Sequence, residues 1–208
     1  MESVQTIPVK ETSETMRLIY KRRAVRKYRD RPVDKKLIQQ VIDAGRMAPS
    51  AINRQPWAFY VLNERKTIQT FAKEISAVAF KALVKSGIKQ IAKTASHLLD
   101  FSHGLDIHAL QDPVFHGAPV VIFITAQKDN EWAPLDIGMC AENIMLAATS
   151  LGLETCPIGF AKYVDKTKSY PKLRIPSSEQ VLLAIILGYG DEQPQAHERK
   201  KDNLFFID

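Results

Sequence analysis

The chain has 208 residues, 45 % of them hydrophobic and 25 % charged, with a net charge of +6. That suffices for one buried core, and the length suits a single domain over residues 1–208. No apolar run reaches the roughly 20 residues of a membrane span. The opening MESVQTIPVKETSE also lacks the apolar stretch of a secretory signal, so a cytoplasmic protein is expected.

The first helix is predicted over residues 14–23, where Met16, Ile19 and Tyr20 recur at helical spacing. Asp34 reads as the N-cap of a second helix, with Leu37, Val41 and Ala44 or Gly45 on one face and an end near Met47 before Ala48-Pro49. Residues 48–57, APSAINRQPW, form a loop, and AFYVL at 58–62 a short strand. A third helix covers 64–86 with the stripe Ile68, Phe71, Ile75, Val78 and Ala82; residues 88–99 have a weaker helical period.

PVVIFIT at 119–125 is apolar throughout, as in a strand covered on both faces. Pro134 opens a helix to about Ser150, with Gly152 as its stop. Its small residues Gly138, Ala141, Ala147 and Ala148 suggest close approach of another helix. A short strand and turn over 152–159, a buried strand over 180–187 and a terminal apolar run at 204–207 follow. These elements give an α+β fold: a central mixed sheet flanked by helices. The terminal run would pair at home or on a partner's sheet edge, and exchange with a partner is favoured.

Two features invite a chemical reading. Residues 17–36 hold ten Lys and Arg against the acids Asp30 and Asp34. Such a cluster can be a solvated face, track a nucleic-acid backbone, or grip one small phosphate. Arg22, Arg23 and Arg26 cannot share one helical face, so if they converge the backbone must leave the helix there. The second feature is the 48–57 loop. Pro49 and Pro56 stiffen it, and Ser50, Asn53 and Gln55 offer donors and acceptors suited to the edge of a heterocycle.

Other chemistries lack support. Cys140 and Cys156 make neither a CxxC nor the four ligands of an iron–sulfur cluster, and the five histidines have no metal-site spacing. GxGxxG, Walker A and GxSxG are absent, and Gly188-Tyr189-Gly190 alone is too little for a dinucleotide fingerprint. Without an evident acid, base or nucleophile, an organic cofactor is expected to carry the reaction.

RRAVRKYRDRPV followed by APSAINRQPWAFYVL resembles the opening of FMN-dependent nitroreductases, where RRS-x-R-x-[FY] precedes APS-x-x-N-x-QPW. DIGMCAENIMLAATSLGLETCPIGF, HGAPVVIFI and VLLAIILGYGDE resemble later segments of the same family, leaving about residues 64–112 unmatched.

The resemblance implies a homodimer with FMN at the subunit interface and C-terminal arms wrapped around the partner. NAD(P)H would reduce the flavin and leave before a nitroaromatic, quinone or similar small acceptor takes its place, a ping-pong reaction. It assigns Arg22, Arg23 and Arg26 to the FMN phosphate and ribityl chain. Ala24 stands where relatives carry Ser, removing one hydroxyl contact. Pro49, Ser50 and Asn53 would lie over the ring from the other subunit, with Gln55 supporting them. Pro157, Ile158 and Gly159 would approach the opposite side, with a backbone N–H near N5. Arg199, or Lys200 or Lys201 in its place, would complete the phosphate clamp. No metal, nucleic acid or membrane partner is implied. The alternatives are a flavin-storage module without turnover and a nucleic-acid-binding protein using residues 17–36. Phe101, His103, His108, Phe115 and His116 have no assigned role, and neither the physiological substrate nor the choice of NADH or NADPH is implied.

Overall fold

The computed structural model describes residues 13–85 and 112–207. The helical period at 88–99 and the residues Phe101, His103 and His108 lie outside them.

Helix α1 (Glu14–Lys21) starts where the Ser13 side chain accepts from the backbone N–H of Met16. It ends earlier than its periodicity suggests, because Arg22 takes an extended ψ of 133°. Its apolar face, Met16, Ile19 and Tyr20, stays exposed. Helix α2 (Lys35–Arg46) is capped by Asp34, which accepts from Lys36 N, and buries Ile38, Val41, Ile42 and Gly45. Strand β1 (Ala58–Leu62) and helix α3 (Arg65–Lys85) follow, with Ile68, Phe71 and Ile75 of the predicted stripe in the core. The α3 stripe fades to half-burial at Val78 and Ala82.

Strand β2 (Val120–Gln127), helix α4 (Ala133–Ser150), strand β3 (Glu154–Ile158) and strand β4 (Glu179–Gly188) complete the helices and strands among the described residues. Two 3-10 stretches, Gly159–Lys166 and Tyr170–Leu173, fill what the sequence presents as a turn and a loop. The sheet order is β1-β2-β4-β3. All three ladders are antiparallel; among the described residues the parallel component of the expected mixed sheet is the single bridge Ala24↔Thr155.

Period-two alternation divides the core into two layers. Val120, Ile122 and Ile124 of β2, with Ile185 and Leu187 of β4, meet α2 and α4 on one face. Val121, Phe123, Ala184 and Ile186 meet α3 and the Gly159–Lys166 stretch on the other. Phe123 packs edge-on against both Phe71 and Phe115.

The close helix approach occurs at a different glycine from the one expected. Gly138 is exposed, with open space where a Cβ would stand. Instead Gly45 of α2 faces α4, where a Cβ would fall 2.6 Å from Ile144 Cγ1. Ala141 and Ala148 are buried in that contact layer as anticipated. The terminal residues 204–207 belong to no strand, and Phe206 and Ile207 are 85 % and 94 % exposed.

Candidate functional site

The basic segment leaves α1 at Arg22 and runs along the sheet edge formed by β3. Val25 N donates to Thr155 O at 3.0 Å, Arg29 N to Tyr189 O at 2.9 Å, and Asp191 N to Lys27 O at 2.9 Å. Gly188 and Gly190 make this fit possible. A Cβ on Gly188 would stand 2.9 Å from the Tyr28 ring, and one on Gly190 2.8 Å from Glu154 Cγ. The GYG turn thus serves close packing of the basic segment, a role its sequence alone does not disclose.

The three arginines separate into two kinds. Arg22 and Arg26 both act on the Cys156 thiol of β3, holding down a pKa that burial pushes up. Both guanidinium groups therefore lie in the neighbourhood of that residue. Arg22 Nε also lies 3.2 Å from Glu142 Oε1 of α4, and the backbone N–H of Arg26 donates to Glu192 Oε1 at 2.5 Å. Arg23 turns back, donating to Tyr20 O at 2.8 Å and Arg22 O at 2.7 Å, where it caps the end of α1.

The rest of the basic run is surface chemistry. Arg29 faces Asp191 at 3.4 Å in a pair exposed on both sides, and Arg31 stacks on the Tyr189 ring at 3.9 Å. Lys35 and Lys36 are exposed at the start of α2.

Further along β3, Pro157 is exposed, Ile158 is buried and Gly159 is exposed, with nothing within 4 Å of the place a Cβ would take. The edge therefore carries the basic segment at Thr155 and exposed residues at Pro157 and Gly159. That geometry fits an elongated ligand with an anionic tail and a flat ring.

The 48–57 loop is more strained than its sequence suggests. Residues Ala51–Asn53 form a 3-10 turn in which Ile52 has φ 46°, Asn53 φ 57°, and Gln55 just beyond has φ 48°. Left-handed backbone at a non-glycine residue costs about 1–3 kcal/mol. Ser50 Oγ accepts from Gln55 N at 2.9 Å, and Gln55 Nε2 donates to Asn53 Oδ1 at 3.1 Å, so the predicted polar residues bond each other. Ile52 is 84 % exposed, beside Ala51, Arg54 and Trp132 in a shallow apolar groove.

Ala51 N donates to Asp136 Oδ1 at 3.1 Å. The loop therefore sits at the start of α4, whereas Arg22 meets α4 at Glu142, about 9 Å along the helix axis and on another side. One chain does not wrap the arginines and the loop around one point. Arg199 lies in the exposed tail, donating to His197 O at 2.8 Å, with Lys200 and Lys201 exposed beside it.

Sequence reasoning gave four residues no role. Glu142 and Glu192 engage the arginine segment from distant positions that no local spacing announces. Asp136 carried a signal, a carboxylate just after Pro134 on a helix face that is otherwise apolar. His116 sits at φ 53°, half-buried, its pKa pushed down to about 4 by burial and by Arg26 against the pull of Asp112. It is neutral at pH 7.

The chain is 29 % identical over 194 residues to 4-nitrobenzoate reductase of Pseudomonas putida, covering 84 % of this chain and 85 % of that one. It is 27 % identical over 186 residues to a putative NADH dehydrogenase/NAD(P)H nitroreductase of Methanothermobacter thermautotrophicus, covering 87 % and 80 %. Its fold matches a crystal structure of a nitroreductase with bound FMN from Bacteroides fragilis at a TM-score of 0.74 and 24 % identity, over 95 % of this chain and 100 % of that one. The model of the nitroreductase family matches residues 19–189, from the last turn of α1 to the GYG turn that seats the basic segment, and the chain belongs to that family.

Proposed function

We propose that the protein is an FMN-dependent NAD(P)H oxidoreductase that reduces nitroaromatic, quinone or similar small acceptors. The observation that carries this reading is the seating of the basic segment on β3, where Val25 N donates to Thr155 O at 3.0 Å and Arg22 and Arg26 both act on the Cys156 thiol. The names of the Pseudomonas and Methanothermobacter relatives and the FMN of the Bacteroides structure support it. FMN, when bound, supplies the redox chemistry, taking two electrons from NAD(P)H and passing them to the acceptor.

The chain's own residues bind and orient. Arg22 and Arg26 hold the phosphate and ribityl end by charge-assisted hydrogen bonds. Arg23 contributes indirectly, by fixing the turn at which the segment leaves α1. Ala24 is bridged to Thr155 and lines the same edge without a hydroxyl. Pro157, Ile158 and Gly159 would back one face of the ring and offer it a backbone N–H. Arg199, or Lys200 or Lys201, adds a further cation from the tail.

Pro49, Ser50 and Asn53, braced by Gln55, cover the ring from a second copy of the chain, because the loop and the arginines of one chain diverge along α4. The homodimer is further supported by exposed apolar side chains on α1 (Met16, Ile19, Tyr20), at Met47 and Ile52, on α4 (Leu135) and along 204–207. The terminal run crosses to the partner in this reading. Among the described residues no helix is long and apolar enough to cross a membrane.

Purified protein is expected to be yellow, with an oxidised-flavin spectrum that bleaches anaerobically on adding NADH or NADPH. A colourless protein that cannot be loaded with FMN would sink the reading. A yellow protein bleached by neither nicotinamide would point to storage without turnover.

A further inference from the structure

We propose that Asp136 is a positioning residue whose buried carboxylate anchors the 50–55 loop in the left-handed turn that presents Ser50 and Asn53 to the flavin. This rests on the reading of that loop as a wall of the flavin site.

Ile52 and Asn53 are consecutive residues at positive φ, and Gln55 is a third. For a β-branched side chain such as Ile52 this conformation persists only when surrounding contacts impose it. The bonds of Ser50 and Asn53 with Gln55 curve the loop on itself but do not fix it to the domain. Asp136 does, by accepting from Ala51 N, the residue just before the strained pair.

The choice of an aspartate here has no packing explanation. Asp136 is 1 % exposed, among the buried residues of α4. Its Oδ2 is buried without a hydrogen-bond partner among the described residues, a disfavoured state for a polar atom. It does not cap its own helix, whose N-cap position is Trp132. The first turn of a helix is where a carboxylate is best tolerated, so α4 can carry the anchor.

The test needs no turnover. Both tryptophans flank the loop: Trp57 follows it in sequence, and Trp132 lines the groove beside Ala51 and Ile52. Acrylamide quenching of apoprotein fluorescence therefore reads where the loop lies, and a fluorescence titration reads FMN affinity. Asp136→Ala should raise quenching and weaken FMN binding by about tenfold or more. Asp136→Asn keeps an acceptor oxygen for Ala51 and should stay within about threefold of wild type in both. Adding Ile52→Gly to Asp136→Ala should recover most of the FMN affinity, because glycine takes φ 46° without strain.

Wild-type quenching and affinity in Asp136→Ala would overturn the proposal, as would failure of Ile52→Gly to rescue. If Asp136→Ala does not fold, Asp136→Asn decides, and a loss of FMN affinity with quenching unchanged overturns the anchor. A wild-type protein that takes up no FMN sinks the flavin reading instead, while apoprotein quenching still tests the anchoring.

Discussion

Arg22 and Glu142 meet at 3.2 Å across the gap between the end of α1 and the middle of α4. The pair is partly open to water, and pairs of that kind contribute about 0–1 kcal/mol to stability. Glu142 therefore holds the arginine that the proposed flavin site assigns to the phosphate. Arg22→Ala should weaken FMN binding by about 1.5–3 kcal/mol, the scale of a hydrogen bond to a charged group. Glu142→Gln should strengthen it by roughly twofold to fivefold, an increment below 1 kcal/mol. Titration of apoprotein with FMN reads both. If Glu142→Gln weakens binding as well, the glutamate supports the clamp rather than competing for it.

His116 predicts a pH dependence of stability. Its imidazole takes a proton near the ordinary 6.5 in the unfolded chain but only near 4 in the folded one. Between those values the unfolded state binds more protons, so stability rises with pH across that window. The contribution is fully present above pH 6.5 and is lost as pH falls toward 4, with a size on the order of 3 kcal/mol. His116→Asn, which tolerates φ 53°, should flatten that part of the profile. Urea midpoints at pH 7 and pH 5 test this; an equal drop in both proteins assigns the dependence to other groups.

Gly45 predicts a steric coupling. A Cβ there would stand 2.6 and 2.9 Å from Ile144 Cγ1 and Cδ1 and 3.2 Å from Cys140 Sγ. Gly45→Ala should destabilise by about 1–3 kcal/mol through overpacking, offset by up to about 1 kcal/mol of helix propensity. Ile144→Val removes Cδ1 and should recover part of that loss in the double variant. Additive urea free energies would show that this contact is not the cause.

The elements were legible where periodicity and burial agree. β2 is apolar along its length because both faces are covered, and α2 carries its Asp34 cap and its buried face in plain view. The end of α1 was less legible, because Arg22 and Arg23 are good helix formers and only the capping turn of Arg23 reveals the break. At the site, the basic cluster and the polar loop stood out by composition. The path of the arginine segment along β3 did not, since that depends on Val25 pairing with Thr155. The strain at Ile52 was hidden for a related reason. A β-branched residue argues against positive φ, yet Ile52 stands at φ 46°.

The seam joining residues 25–29 to Thr155, Tyr189 and Asp191 has a consequence for how the molecule is made. These hydrogen bonds link opposite ends of the sequence, so on the ribosome the arginine segment emerges early and waits for the last strand before it has anything to lie against. Contacts so far apart in the chain form late in folding. In the proposed flavin site, cofactor-binding competence should therefore appear only after the GYG turn has been made, and a nascent chain arrested before that turn should carry the arginines without a working grip.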